Sequence, residues 1–338
     1  MQSQLQEPQE PQDANAWFKQ ADRQHKAGNY EAALTSFSHV LKIEPDKPSA
    51  WYYQGNTLRM LGRNKDAIAS FDKALEIQPN YCKAWNNRGL ALQDLRCYQE
   101  AIANFDKALE IKPNFEKAWN NRGLSLQNLG WTLNKVKYYH RAIASFDEAL
   151  DIQPDYPNAW CNRGDTLRKL GRYHEAIESY SHALHSSQNQ YWQAWRNRGW
   201  AFLSLGQYQE ALTNWNDGLK KLGRQNRKGH GELHYAIGLA RYQHGLQQQE
   251  VFPHWSLAET SYQKALNYFR FEDEKFRERH LEVLKSLITL YYELNQKETV
   301  QVLLADGSEK LGRLLQEKSL DTDKILLARK FAGFDQLR

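Results

Sequence analysis

The chain has 338 residues, with 19 Gly, 9 Pro and 25% charged side chains, a composition that excludes collagen-like repetition and pervasive disorder and predicts a folded protein. Its 45 basic residues stand against 40 acidic ones, a net charge of +5, which argues against nucleic-acid binding driven by bulk charge. The polar mean hydropathy of −0.81 and the lack of an apolar run near ~18 residues predict no membrane-spanning helix.

Residues 1–13, rich in Gln, Glu and Pro, are expected to form a disordered arm. They lack the basic, apolar and small-residue segments of a secretory signal, so the expectation is a cytoplasmic protein. Cys82, Cys97 and Cys161 contain no CxxC pair, so reduced thiols are expected and neither a zinc site nor a disulfide framework.

A repeat begins at once. Trp17, Trp51, Trp85 and Trp119 are spaced by 34 residues, followed by Trp160 at 41 and Trp195 at 35. Within the copy that opens KAWNNRGL, Trp85, Gly89 and Leu92 follow i, i+4, i+7 spacing on one helix, and Ala101, Phe105 and Ala108 do so on a second. Pro113 closes the copy, because Pro cannot continue a helix interior. One such hairpin cannot bury its apolar face alone, so the copies are expected to stack.

Six regular copies are read at 14–47, 48–81, 82–115, 116–156, 157–191 and 192–225, with an insertion at 131–140 after Gly130. Seven extra residues there approach two helical turns and are expected to lengthen a helix without rotating its face. Two degenerate copies are read within 226–316, with an insertion at 246–257 that Pro253 predicts to be a loop. The segment 317–338 has helical apolar spacing and reads as a capping helix or a truncated repeat.

The pattern Gly89, Tyr98, Ala101, Phe105, Ala108 and Pro113, with its counterpart Gly55, Gly62, Ala67, Phe71, Ala74 and Pro79 one copy earlier, resembles the tetratricopeptide repeat family. Arg96 departs from it, at position 15 where the family has Gly. The resemblance implies an all-α, right-handed superhelical solenoid of about seven to eight helix-turn-helix repeats with a C-terminal capping helix. It also implies a concave groove lined by the first helices and a protein or extended peptide as partner.

Position 6 of that groove reads Asn87, Asn121, Asn162 and Asn197 in four consecutive copies. Asn is an indifferent helix former, and its amide can bracket one peptide unit with a donor and an acceptor. The row resembles the asparagine ladder with which O-GlcNAc transferase and kinesin light chain hold extended peptides. Asn56, Lys83, Lys117, Arg168, Lys169 and Arg196 complete the candidate peptide-binding set, and their charges point to an acidic or phosphate-bearing ligand. The competing reading is that position 6 merely bonds a neighbouring repeat. A carboxylate clamp for peptide C-termini is disfavoured, because Tyr52 and Asn121 stand where the family's clamp needs Lys and Arg.

Arg88, Arg122, Arg163 and Arg198 recur at position 7, and Asp72, Asp106 and Asp147 at position 25, which predicts structural ion pairs. The basic segment from Lys220 to Lys228 reads as a solvated turn. His230 and His234 lack the HExxH order, so no metal ligation is expected. The aromatics Trp131, Tyr138, Tyr139, Phe252 and Trp255 would form a contact patch where exposed. No phosphate loop, nucleophile elbow or acid pair is found, so neither catalysis nor a cofactor is expected. Two further readings remain: that the chain is the regulatory front of an effector, since similar bacterial arrays precede a caspase-like CHAT protease domain, and that a basic groove binds RNA. Oligomeric state is left open.

Overall fold

A computed structural model describes residues 13–248, 251–270 and 273–293. Their regular elements are all helices joined by short turns, with no strand among the described residues. They form two compact units that meet in sequence between Ser179 and Tyr180, inside one helix.

In the first unit the helices come in pairs: α1 (Ala14–Lys26) with α2 (Tyr30–Ile43), α3 (Pro48–Met60) with α4 (Asn64–Ile77), and α5 (Cys82–Asp94) with α6 (Tyr98–Ile111). Then come α7 (Glu116–Leu133) with α8 (Val136–Ile152), and α9 (Pro157–Lys169) before α10 (Tyr173–Ser186). Each second helix also packs on the first helix of the next pair, and α3, α5, α7 and α9 lie side by side. That is the packing of a helical-hairpin solenoid.

Three recurrent contacts explain why the 34-residue period produces this stack. An aromatic ring fills the space left by a missing Cβ: Phe105 lies so close to Gly89 that a Cβ there would sit 2.7 Å from its Cε1, and Gly55 and Gly123 face Phe71 and Phe146 in the same way. The Trp at position 4 donates its indole N–H to the carbonyl of the Pro ending the preceding copy, at 2.7 Å for Trp51 to Pro45, 2.8 Å for Trp85 to Pro79 and 2.9 Å for Trp119 to Pro113. A hydrogen bond of this kind contributes about 1 kcal/mol net. Finally, the hairpin turns need left-handed backbone. Gly28, Gly62 and Gly171 supply it with φ of 81°, 75° and 74°, while Arg96 adopts φ 62° without being Gly and so carries a conformational cost of about 1–2 kcal/mol.

The expected insertion at 131–140 lengthens two helices rather than one. α7 extends to Leu133, Asn134 caps it at φ 49°, and α8 begins at Val136.

The second unit contains the rest of α10, then α11 (Trp192–Ser204), α12 (Tyr208–Lys221), α13 (Arg227–Gln248), α14 (Val251–Tyr268) and α15 (Arg277–Glu293). Gly199 faces Trp215 as the earlier glycines face Phe. Tyr235, Tyr262, Phe269, Phe276, Val283 and Leu287 form the core between α13, α14 and α15. Here the expected loop around Pro253 is corrected. α13 runs to Gln248 and α14 starts at Val251, which puts Pro253 in the first helical turn, where its missing N–H would have had no intrahelical partner. The basic segment is partly absorbed into the fold: Lys220 pairs with Asp217 at 3.2 Å, and Lys221 lies over Trp195. His230 and His234 both stack on Tyr268.

Of the predicted terminal features, the arm (apart from Asp13), the second half of the last degenerate copy and the segment 317–338 lie outside the described residues. Asp13 accepts from the Ala16 N–H at 2.6 Å as the N-cap of α1. The side chains of Phe252 and Trp255 also lie outside them.

Candidate functional site

The first helices α3, α5, α7 and α9 bring four of the candidate asparagines into one hydrogen-bonded series. Asn162 Nδ2 donates to Asn120 Oδ1 at 2.9 Å, and Asn120 Nδ2 makes a long 3.5 Å contact to Asn121 Oδ1. Asn121 Nδ2 donates to Asn86 Oδ1 at 3.1 Å, and Asn86 Nδ2 to Asn87 Oδ1 at 2.8 Å. Asn87 Nδ2 ends the series on Asn56 Oδ1 at 2.6 Å and Tyr52 Oη at 3.1 Å. Every bond that crosses between copies therefore has its donor on the later copy and its acceptor on the preceding one, while the Asn120–Asn121 and Asn86–Asn87 bonds link the two positions within a copy.

Three members of this series were missed as site residues in the sequence: Asn86, Asn120 and Tyr52. For the two asparagines the signal was the doublet Asn86–Asn87, repeated as Asn120–Asn121. Position 5 of the doublet is buried, Asn86 and Asn120 being 5% and 4% exposed, while Asn87, Asn121 and Asn162 are half-buried. A buried amide without partners costs more than one bonded to its neighbours, so the inner asparagines anchor the outer ones. Burial also pushes the Tyr52 hydroxyl pKa upward, opposed by its hydrogen bonds to Asn56 and Asn87.

An amide has two N–H donors and two lone pairs on its oxygen. Asn87 directs its donors to both Asn56 and Tyr52. The bonds above occupy one donor on Asn121 and one on Asn162, so each of these keeps an N–H and a lone pair.

The charged candidates are dispersed. Lys83 and Lys117 are exposed in the first turns of α5 and α7. Arg168 is half-buried, with Nε lacking a hydrogen-bond partner. Lys169 leaves the row and places Nζ 4.1 Å from the centroid of the Trp131 ring. In the second unit, Asn197 is buried and accepts from Arg196 Nε at 3.0 Å. Arg196 also pairs with the buried Glu232 at 3.1 Å, which receives Arg279 at 2.5 Å as well. This end of the predicted set is thus tied into a local ion cluster.

The arginines at position 7 are structural, as expected. Arg88, Arg122 and Arg163 meet Asp72, Asp106 and Asp147 of the preceding copy at 2.6–2.7 Å. Each extends Nη1 to position 23 of its own copy, on Asn104, Ser145 and Ser179. Arg198 has Ser181 in place of the Asp, and burial lowers its pKa to about 10, with Asp217 acting in the opposite sense.

No group of three or more His, Cys, Asp or Glu positioned to hold a metal occurs among the described residues. No described helix is long and apolar enough to cross a membrane.

Sequence models of the tetratricopeptide repeat match this chain at residues 82–115, at 18–81, 137–191 and 161–227, and at 117–156. No curated protein matches it. Among solved structures, it is similar to a tetratricopeptide repeat protein from Parabacteroides merdae at 17% identity and a TM-score of 0.58, covering 82% of this chain and 100% of that one. It is also similar to PilW, described as a widely conserved type IV pilus biogenesis factor, at 24% identity and a TM-score of 0.55, covering 62% of this chain and 94% of PilW. PilF of Pseudomonas aeruginosa matches at 19% identity and a TM-score of 0.52, covering 61% of this chain and 90% of PilF. At these identities the likeness is one of fold.

Proposed function

Because the chain belongs to the tetratricopeptide repeat family, whose arrays are protein-interaction scaffolds, we propose that it captures an extended peptide segment along α5, α7 and α9 without catalysing a reaction. The observation that carries this reading is the spare hydrogen-bonding capacity of Asn121 and Asn162 on amides already fixed in orientation by Asn86 and Asn120. A fixed amide with one free N–H and one free lone pair can bracket a backbone C=O and N–H with little loss of side-chain freedom. Sequence selectivity would then come from other positions. The exposed ammonium groups of Lys83 and Lys117 favour an acidic segment, whose binding should decline with added salt.

The test is affinity capture from a native lysate, read by mass spectrometry, with the chain and its Asn121→Ala/Asn162→Ala variant. The variant should keep its helix content by circular dichroism and lose captured partners. Identical partner lists from the two would refute capture by the row.

A further inference from the structure

The insertion that sets the fourth hairpin apart builds a second surface, at the turn end of α7 and α8 and away from the asparagine series. Its added turns leave Trp131 66% exposed, Val136 56% and Leu133 40%, while Tyr139 folds back against Gly130 and is buried. Trp131, Val136, Tyr139 and Leu170 line a pocket of about 700 Å³ together with Lys169 and Arg172. Exposed aromatic and aliphatic groups gathered around a concavity are uncommon on a surface that contacts only water.

The two segments that line it carry charge of one sign. The segments 131–141 and 168–172 contain Lys135, Lys137, Arg141, Arg168, Lys169 and Arg172 and no Asp or Glu. Among the described residues, only Arg172 of these six has a carboxylate partner, Glu175 at 2.5 Å. Lys135, Lys137, Arg141 and Lys169 are exposed. One side of the Trp131 ring already carries the Lys169 ammonium, so the indole forms a wall beside a charge and not an open plate for stacking a base. The aliphatic Val136 and Leu170 that line the same pocket suit a protein side chain.

We propose that this pocket docks an acidic segment of a partner protein, which inserts one large apolar side chain between Trp131, Val136 and Leu170 and sets its carboxylates against Lys135, Lys137 and Lys169. Aromatic anchors in pockets dominate interface energies, and the flanking cations add orientation and encounter rate. The site is separate from the asparagine series and does not depend on it.

The experiment uses the full chain and a short fluorescein-labelled peptide with one central Phe between runs of Asp and Glu, followed by fluorescence anisotropy. The same peptide with Ser in place of Phe should bind about tenfold more weakly, and Trp131→Ala should weaken the Phe peptide by about tenfold. The exposure of Trp131 makes this substitution safe for folding, and a Lys135→Glu/Lys137→Glu variant gives an independent reading of the charge. In an Asn121→Ala/Asn162→Ala background the effects of Trp131→Ala and of the Phe-to-Ser exchange should persist, which separates the two sites. An affinity unaffected by Trp131→Ala, equal binding of the Phe and Ser peptides, or disappearance of the Trp131 effect in the asparagine variant would each overturn the proposal. So would tighter binding of a single-stranded oligothymidylate than of the peptide, or Trp131-dependent self-association seen by sedimentation.

Discussion

Replacing Gly123 with Ala should destabilise the protein, although Gly-to-Ala in a helix interior is normally favourable. A Cβ at position 123 would lie 2.5 Å from Phe146 Cε1 and 2.8 Å from two further ring atoms, whereas unstrained carbon pairs sit at about 3.5–4.0 Å. The ring would have to retreat by roughly 1 Å to restore contact distance. It is fully buried among Ile102, Leu126, Leu129 and Ala142, so there is no space behind it. Overpacking by one methyl group costs about 1–3 kcal/mol, and the gain in helix propensity returns about 1 kcal/mol, which leaves a net loss of up to about 2 kcal/mol. The loss would be measured by urea unfolding followed by circular dichroism. Ala144→Gly, at an exposed site on α8, provides the control, since it removes propensity alone and should cost about 1 kcal/mol. A Gly123→Ala variant more stable than the parent would show that the glycine–aromatic contact does not set the helix separation.

Ser181→Asp should stabilise the protein by about 0.5–1 kcal/mol, because it gives Arg198 the carboxylate that Arg88, Arg122 and Arg163 have. The gain in urea midpoint should vanish in an Arg198→Met background. His234 has its pKa lowered to about 4, chiefly by burial and further by Lys264, His230 and Arg241. The unfolded chain therefore takes up this proton near its ordinary value of 6.5 while the folded chain resists it, so stability present above pH 6.5 is lost as the pH falls toward about 4. His234→Gln should flatten that part of the stability profile, and an unaltered slope between pH 6.5 and 4 would place the acid sensitivity elsewhere.

The fold was legible because its determinants recur at fixed offsets along the chain. Trp85, Gly89, Phe105 and Pro113 each meet a residue of the same copy or one six positions away in an adjacent copy, so periodicity alone exposes them. The pairing of Arg122 with Asp106 was readable for the same reason. Pro253 misled because the residue is compatible with both a loop and a first helical turn, and only the packing of α14 decides between them. The asparagine bonds that cross between copies join residues 31 to 42 positions apart, and they depend on side-chain rotation that no spacing rule encodes. The cationic rim at Trp131 was likewise hidden, because it combines an insertion with a turn from the following hairpin.

The head-to-tail order of the asparagine amides bears on how such an array can grow or be rebuilt. A copy relays the series only if it carries amides at both position 5, to receive from the following copy, and position 6, to donate to the preceding one. Asn86–Asn87 and Asn120–Asn121 meet that requirement, whereas Tyr52–Tyr53 and Cys161–Asn162 do not. The flanking copies are therefore terminators, and the doublet copies are interchangeable links. Duplicating one doublet copy would lengthen the series by a rung, while grafting in a copy without it would divide the series in two and leave the hairpin stacking intact.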